Sequence, residues 1–183
     1  LNNDNLLLRA YREYSIALRR LGQFVDARHI NARALKLAHS VNDPEQLASI
    51  CKRIANVALD DGNDVEAVQY AKKSVSLYEQ LIKPIELALA RHNLACHLAN
   101  IGQLMAARRH HQQNVVLWRQ LTTPSYMAMS LESLGAIALK KGQYELAHLH
   151  LRAAYRSYAA SDDLDGQAYT RLTLGYWAIE MAL

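Results

Sequence analysis

Scarcity shapes this sequence before any pattern does. Cys51 and Cys96 are its only cysteines, too few for a disulfide-stapled secreted scaffold, and they fit a reducing compartment with the cytoplasm as default. The seven glycines occur singly, so no Gly-rich loop is present to cradle a phosphate. No apolar run approaches the ~18 residues of a membrane span. Leu1-Asn2-Asn3-Asp4 has neither the basic region nor the apolar core of a signal peptide. The chain begins without Met and is read as a fragment excised from a longer protein. A formal charge of +4 on 183 residues is also low; it permits weak attraction to acidic partners or nucleic acid without demanding either. Eight histidines add positive charge below about pH 6.5. What is abundant is apolar side chain, 51% of the residues against 21% charged, the balance of an ordered globular chain with a sizeable core.

The positive signal is a period. Gly22, Gly62, Gly102 and Gly142 are each 40 residues apart, and so are Ala27, Ala67, Ala107 and Ala147. A fixed period of about 20–50 residues marks a solenoid or an array. In the second unit, Leu47, Ile50, Cys51, Ile54 and Ala58 recur at helical spacing, which lays an apolar stripe on one helix face. Asp61-Gly62 breaks that helix, the glycine supplying a left-handed C-terminal conformation. A second stripe runs through Val68, Ala71, Val75 and Tyr78 and stops before Lys83-Pro84. Pro44, Pro84 and Pro124 repeat at the same spacing and suit the first turn of a following helix. Asp43 and Thr123 read as good N-caps and Lys83 as a poor one; at the fourth junction Ser161 to Gly166 supplies caps without Pro. The alanine column needs a small side chain because the two helices of a hairpin cross closest there.

This grammar predicts an all-α chain, an α-solenoid of antiparallel helix hairpins. Helices are expected near 6–21, 23–40, 44–61, 64–82, 84–101, 104–122, 124–141, 144–160 and 165–182. Residues 1–183 are expected to form a single domain of repeats 6–43, 44–83, 84–123 and 124–163, with a partial fifth repeat over 164–183. Tyr14, Tyr78 and Tyr155 fall at packing columns and are expected in the core.

The pattern resembles the tetratricopeptide repeat family over almost the whole chain. Each unit shows a large residue, a small residue and the turn glycine: Tyr14-Ser15 with Gly22, Ile54-Ala55 with Gly62, Leu94-Ala95 with Gly102, Leu134-Gly135 with Gly142. Small residues recur in the second helix, as at Ala27 and Ala34 or Ala147 and Ala154. The usual unit has about 34 residues; this longer one is similar to the repeats of maltose-activator-type regulators, peptide-pheromone receptors, kinesin light chains and spindle-orientation adaptors. The resemblance implies a right-handed superhelix whose concave groove is lined by the first helix of every unit. Along it would lie Arg9, Ser49, Leu89, Met129 and Tyr169, then Arg12, Lys52, His92, Glu132 and Leu172. Two further rows are Glu13, Arg53, Asn93, Ser133 and Thr173, and Ile16, Asn56, Cys96, Ala136 and Tyr176. Lys52, Asn56 and Asn93 are similar in placement to the residues with which chaperone-binding members hold a peptide carboxylate. Arg12 and Arg53 add guanidinium donors. Met129 and Ser133 stand where that clamp has further basic residues, so the resemblance implies peptide contact more than a complete clamp.

The function expected is therefore a protein or peptide interaction scaffold, the sensor or regulatory part of a larger protein such as a bacterial transcription regulator. Its partner-binding residues would be Arg12, Lys52, Arg53, Asn56, Leu89, His92, Asn93, Met129, Tyr169 and Tyr176. One alternative is self-assembly, a homodimer formed through 165–183; another is docking onto nucleic acid through Arg108-Arg109-His110-His111. That run lacks aromatic interleaving, so nucleic acid is not the expected partner of this segment. His110, His111, His148 and His150 read as surface histidines, because no Cys or carboxylate set accompanies them as metal ligands. No metal, no cofactor and no catalytic residue is expected, since a solenoid face offers no pocket to tune one.

Overall fold

Apolar stripes at helical spacing become helices here with small shifts at their ends. The computed structural model describes residues 2–180 and the side chains of 3–175. Among the described residues there are nine α-helices and no strand. In order they are α1 (Asn2–Arg20), α2 (Phe24–Ser40), α3 (Pro44–Asp60), α4 (Asp64–Gln80), α5 (Pro84–Asn100), α6 (Leu104–Gln120), α7 (Pro124–Lys140), α8 (Tyr144–Ala159) and α9 (Leu164–Glu180). The first helix begins at Asn2, ahead of the expected residue 6. Its contacts group the chain into two compact units, Leu1–Ile101 and Gly102–Leu183.

Turn chemistry sets the repeat. Gly22, Gly62, Gly102 and Gly142 all adopt positive φ, between 67° and 78°, and a Cβ on any of them would meet no neighbour. Backbone conformation alone therefore demands glycine there. A second left-handed series was not visible in the sequence. Asn42, Ile82, Thr122 and Asp162 sit at φ between 51° and 53°, each 20 residues after one of the turn glycines. Asparagine and aspartate tolerate that region, but β-branched Ile82 and Thr122 do so under strain. Each helix start uses its own means. Asp43 accepts a hydrogen bond from the Gln46 N–H at 3.0 Å, and Asp163 accepts one from Gly166 at 2.9 Å. Thr123, expected to cap α7, does not; its hydroxyl donates to the Trp118 carbonyl at 3.4 Å instead.

In the N-terminal unit each helix from α1 to α4 packs on the one after it, and α1 with α3 and α3 with α5 also touch. The core holds Leu8, Ala34, Ala38, Ile50 and Ile54 in one cluster and Leu18, Ala27, Ile30 and Val57 in another. Ala27 and Ala67 are fully buried, as close helix crossing requires. Arg28 ties α2 to the next turn, reaching Asp61 at 2.8 Å and Glu66 at 2.6 Å. Tyr14 corrects an expectation: it is 55% exposed, because among the described residues α1 contacts α2 and α3 alone.

In the C-terminal unit α7 pairs with α8, and α9 packs on both. Ala128, Ala154 and Tyr158 form a core with Met129 and Leu131 against it. Here too a reading is corrected, since His111 is buried. Its position in the repeat is that of Ala71 and Leu151, both core residues, and a column of packing residues captures whatever side chain occupies it.

Candidate functional site

The odd helices of the N-terminal unit share one layer, so residues on their matching faces converge. Arg12 and Glu13 come from α1, Ser49, Lys52, Arg53 and Asn56 from α3, and Leu89, His92 and Asn93 from α5. Arg53 is the anomaly among them. It is only 7% exposed, yet it forms no ion pair among the described residues. One guanidinium nitrogen, Nη1, donates to the Ser49 hydroxyl at 3.3 Å. Its Nε is buried with no hydrogen-bond acceptor.

Other cations that bridge helices of this unit have carboxylates. Arg19 meets Asp60 at 3.3 Å, Arg91 meets Glu79 at 2.7 Å and Lys83 meets Glu45 at 3.1 Å. A buried guanidinium without an anion is costly, since desolvation is not offset by Coulomb attraction. Burial pushes the Arg53 pKa down to about 10, and Arg12 adds to the shift, while Tyr78 and Glu13 oppose it. Burial likewise lowers Lys52, helped by Arg53 and Arg12 and opposed by Glu86. Arg12 is taken up by its neighbour Glu13 at 2.7 Å, both side chains well exposed. The layer thus concentrates three cations and leaves the most buried one unneutralised.

Around this charge the site is half-buried and mixed. Lys52, Asn56, Leu89, His92 and Asn93 are all intermediate in exposure. Burial pushes the His92 imidazole down, and its Nε2 lies 3.6 Å from the Cys96 sulfur, one turn on. Tyr78 belongs to the site although the sequence marked it only as core. It is buried, and burial with the Glu45 and Glu86 carboxylates pushes its phenol up, while Ser49 and Arg53 pull it down. The signal that would have found it is the aromatic column Tyr78, Trp118 and Tyr158. Chemically, this face can accept an anionic group at Arg53 and Lys52 and hydrogen-bond an extended backbone through Asn56 and Asn93.

The corresponding face of the C-terminal unit differs. Met129 is half-buried against that unit's core, and Tyr169 and Leu172 are exposed. Tyr176 lies among residues whose side chains fall outside the described set. Glu132 accepts a hydrogen bond from the Tyr158 hydroxyl at 3.0 Å, and its second oxygen is buried without a partner. Burial raises the Glu132 pKa, with Asp163 adding and Tyr158 opposing. So the candidate residues fall into two sets, a cationic polar one on α1, α3 and α5 and an apolar one on α7 and α9.

No protein-family model matches the chain, and no curated protein matches it in sequence. Solved structures do match in fold. BtubC from P. vanneervenii superposes with a TM-score of 0.73 at 13% identity, over 99% of this chain and 90% of that one. A putative kinesin light chain from Podosopora anserina with nearly identical TPR-like repeats gives 0.72 at 15% identity, covering 96% of both. A Rap protein complexed with competence and sporulation factor gives 0.74 at 15% identity, over 97% of this chain and 52% of that one. The chain has the fold of TPR-like helical repeat proteins. No helix among the described residues is long and apolar enough to cross a membrane.

Proposed function

We propose that this chain is a protein-interaction scaffold, and that the layer formed by α1, α3 and α5 binds an extended peptide or partner segment carrying an acidic group. The observation that carries this reading is Arg53, buried, charged and without a carboxylate. A carboxylate or comparable anion seated there makes charge-assisted hydrogen bonds to Arg53 and Lys52 and offsets the desolvation that burial imposes. Asn56 and Asn93 then hold backbone groups, and Leu89 receives an apolar side chain. The fold it shares with a Rap protein whose structure holds a bound factor supports the same class of role. In a longer protein this would be the sensor or regulatory part, with transcription regulation as one setting.

The test uses the full chain and a library of extended peptides. Selected peptides should be enriched in Asp and Glu, and replacing those residues by Asn and Gln should abolish binding. Lys52→Glu combined with Asn56→Ala should abolish capture while helicity and melting stay unchanged. Capture that survives the double variant overturns the reading.

A second reading has its own observation. Leu164, Tyr169 and Leu172 are exposed apolar residues on α9, a surface suited to self-association. Removing residues 165–183 should then convert a dimer into a monomer, and a chain that is already monomeric at high concentration rules it out.

A further inference from the structure

A cavity of about 380 Å³ opens on the N-terminal unit between α2, α3 and α4. It belongs to none of the faces described above. Its walls are Leu35, Leu47, Leu77 and the ring of Tyr70, and its floor is Cys51, which is only 5% exposed. Leu35, Leu47 and Tyr70 also pack against the unit's core cluster, so the walls are held from behind. Its volume lies in the lower part of the range for small-molecule sites, roughly 300–1,000 Å³.

The cavity has a counterpart in the sequence. The repeat column that holds Cys51 carries Arg91, Leu131 and Arg171 in the later units. The smallest side chain of that column stands here, so nothing longer than a thiol reaches into the space from α3.

Charge distinguishes the mouth from the walls. Lys73 and His39, both exposed, stand at the opening, and no carboxylate lines the cavity. The Lys73 ammonium is held 4.8 Å above the Tyr70 ring, a cation–π contact that fixes it over the cavity. Its field reaches the floor, where it partly offsets the burial that raises the Cys51 thiol. An apolar slot with a cation at its mouth and no competing acid suits an amphiphile with an anionic head.

We propose that this cavity binds a free medium-chain aliphatic carboxylate, with its chain against Leu35, Leu47 and Leu77 and its head group on Lys73, assisted by His39. The cavity shares α3 with the layer proposed for the acidic segment but no residue, so the two ligands would not compete.

The experiment titrates straight-chain carboxylates into the full chain carrying Cys96→Ser, below their micellar concentrations. Affinity is read by calorimetry and by the rate at which iodoacetamide alkylates Cys51. Each added methylene should tighten binding about fourfold until the cavity is full, equivalent to ~0.8 kcal/mol per buried CH₂. Bound decanoate should slow Cys51 alkylation at least tenfold. Lys73→Ala should weaken decanoate about tenfold and leave decanol unchanged, and Cys51→Leu, which fills the floor, should remove both. Equal affinities for decanoate, decanol and decylamine would overturn the head-group assignment. Unchanged decanoate binding in Cys51→Leu, or none in the parent chain, would overturn the site.

Discussion

Tyr78 and Tyr158 occupy the same place in the repeat, 80 residues apart, and both are buried. The first lies near Arg53 and the second hydrogen-bonds Glu132 at 3.0 Å. One column of the fold therefore sets a buried phenol beside a cation in the N-terminal unit and beside a carboxylate in the C-terminal one. In the second case the phenol satisfies the charge, because an O–H donates to a carboxylate. In the first it does not: a phenol oxygen offers a guanidinium an acceptor but no negative charge, and Arg53 bonds the Ser49 hydroxyl with its Nε left without a partner. The same scaffold thus gives one buried charge a phenol partner for one of its two oxygens and leaves the other charge without an anion.

The sharpest way to break this contrast is to remove the waiting charge. Arg53→Met should raise stability by about 1–3 kcal/mol in urea denaturation, since an unpaired buried cation is replaced by an apolar chain of similar reach. It should also abolish binding of acidic peptides. A loss of stability would mean that Arg53 is neutralised within the chain. Tyrosine to phenylalanine exchange comes next. Tyr158→Phe should cost ~1–2 kcal/mol, because it strands the Glu132 carboxylate. Tyr78→Phe strands no such acceptor and should cost under about 1 kcal/mol, so equal losses would remove the distinction.

Acid should act on the two units in opposite senses at two named residues. His97 is buried in α5 at the repeat position of Val57, and both of its ring nitrogens lack partners. Burial lowers its pKa, with Asp60 and Asp64 opposing. The unfolded chain therefore takes up that proton near pH 6.5 while the folded chain resists, so stability falls as pH drops through that value. His97→Val should flatten this limb. Glu132 has a raised pKa, so its favourable contribution is present below the ordinary carboxylate value of about 4.3 and is lost as pH rises through the folded value. Glu132→Gln should match the parent at pH 4 and exceed it in stability toward pH 7. Parallel pH profiles for parent and variants would contradict both assignments.

The smallest effect tests what the units have in common. Ile82 and Thr122 hold the same left-handed turn, and Ile82 is 88% exposed, so no packing is lost on changing it. Ile82→Asn and Thr122→Asn should each stabilise by roughly 0.5–1.5 kcal/mol in thermal melts, Asn being tolerant of that conformation. Unequal signs would show that the two turns are not equivalent.

The period, the helices and the glycine turns were legible because backbone demands recur wherever the fold recurs. The positions of Arg12, Lys52, Arg53, Asn56 and Asn93 on the odd helices were legible for the same reason, since a column number locates a residue on a helix face. Their environment was not. Arg53 reads as a guanidinium donor on a groove face, and its burial is not visible until α1 and α4 close around it. His111 reads as a surface histidine until its column proves to be core. Thr123 reads as a cap, yet its hydroxyl turns to the carbonyl of Trp118, which no local rule indicates. The second left-handed series escaped notice because Ile82 and Thr122 are poor residues for it, kept there by the geometry of the helices on either side.

By itself, the chain's sequence determined which segments would be helical and which residues would repeat, to within a few residues at the helix ends, because propensity, capping and apolar spacing act locally. Only the tertiary structure decided which polar groups would lose water and which would find partners. Desolvation depends on atoms brought from other helices, and it is that loss of water at Arg53 and that gap above Cys51 which turn a periodic scaffold into candidate binding sites.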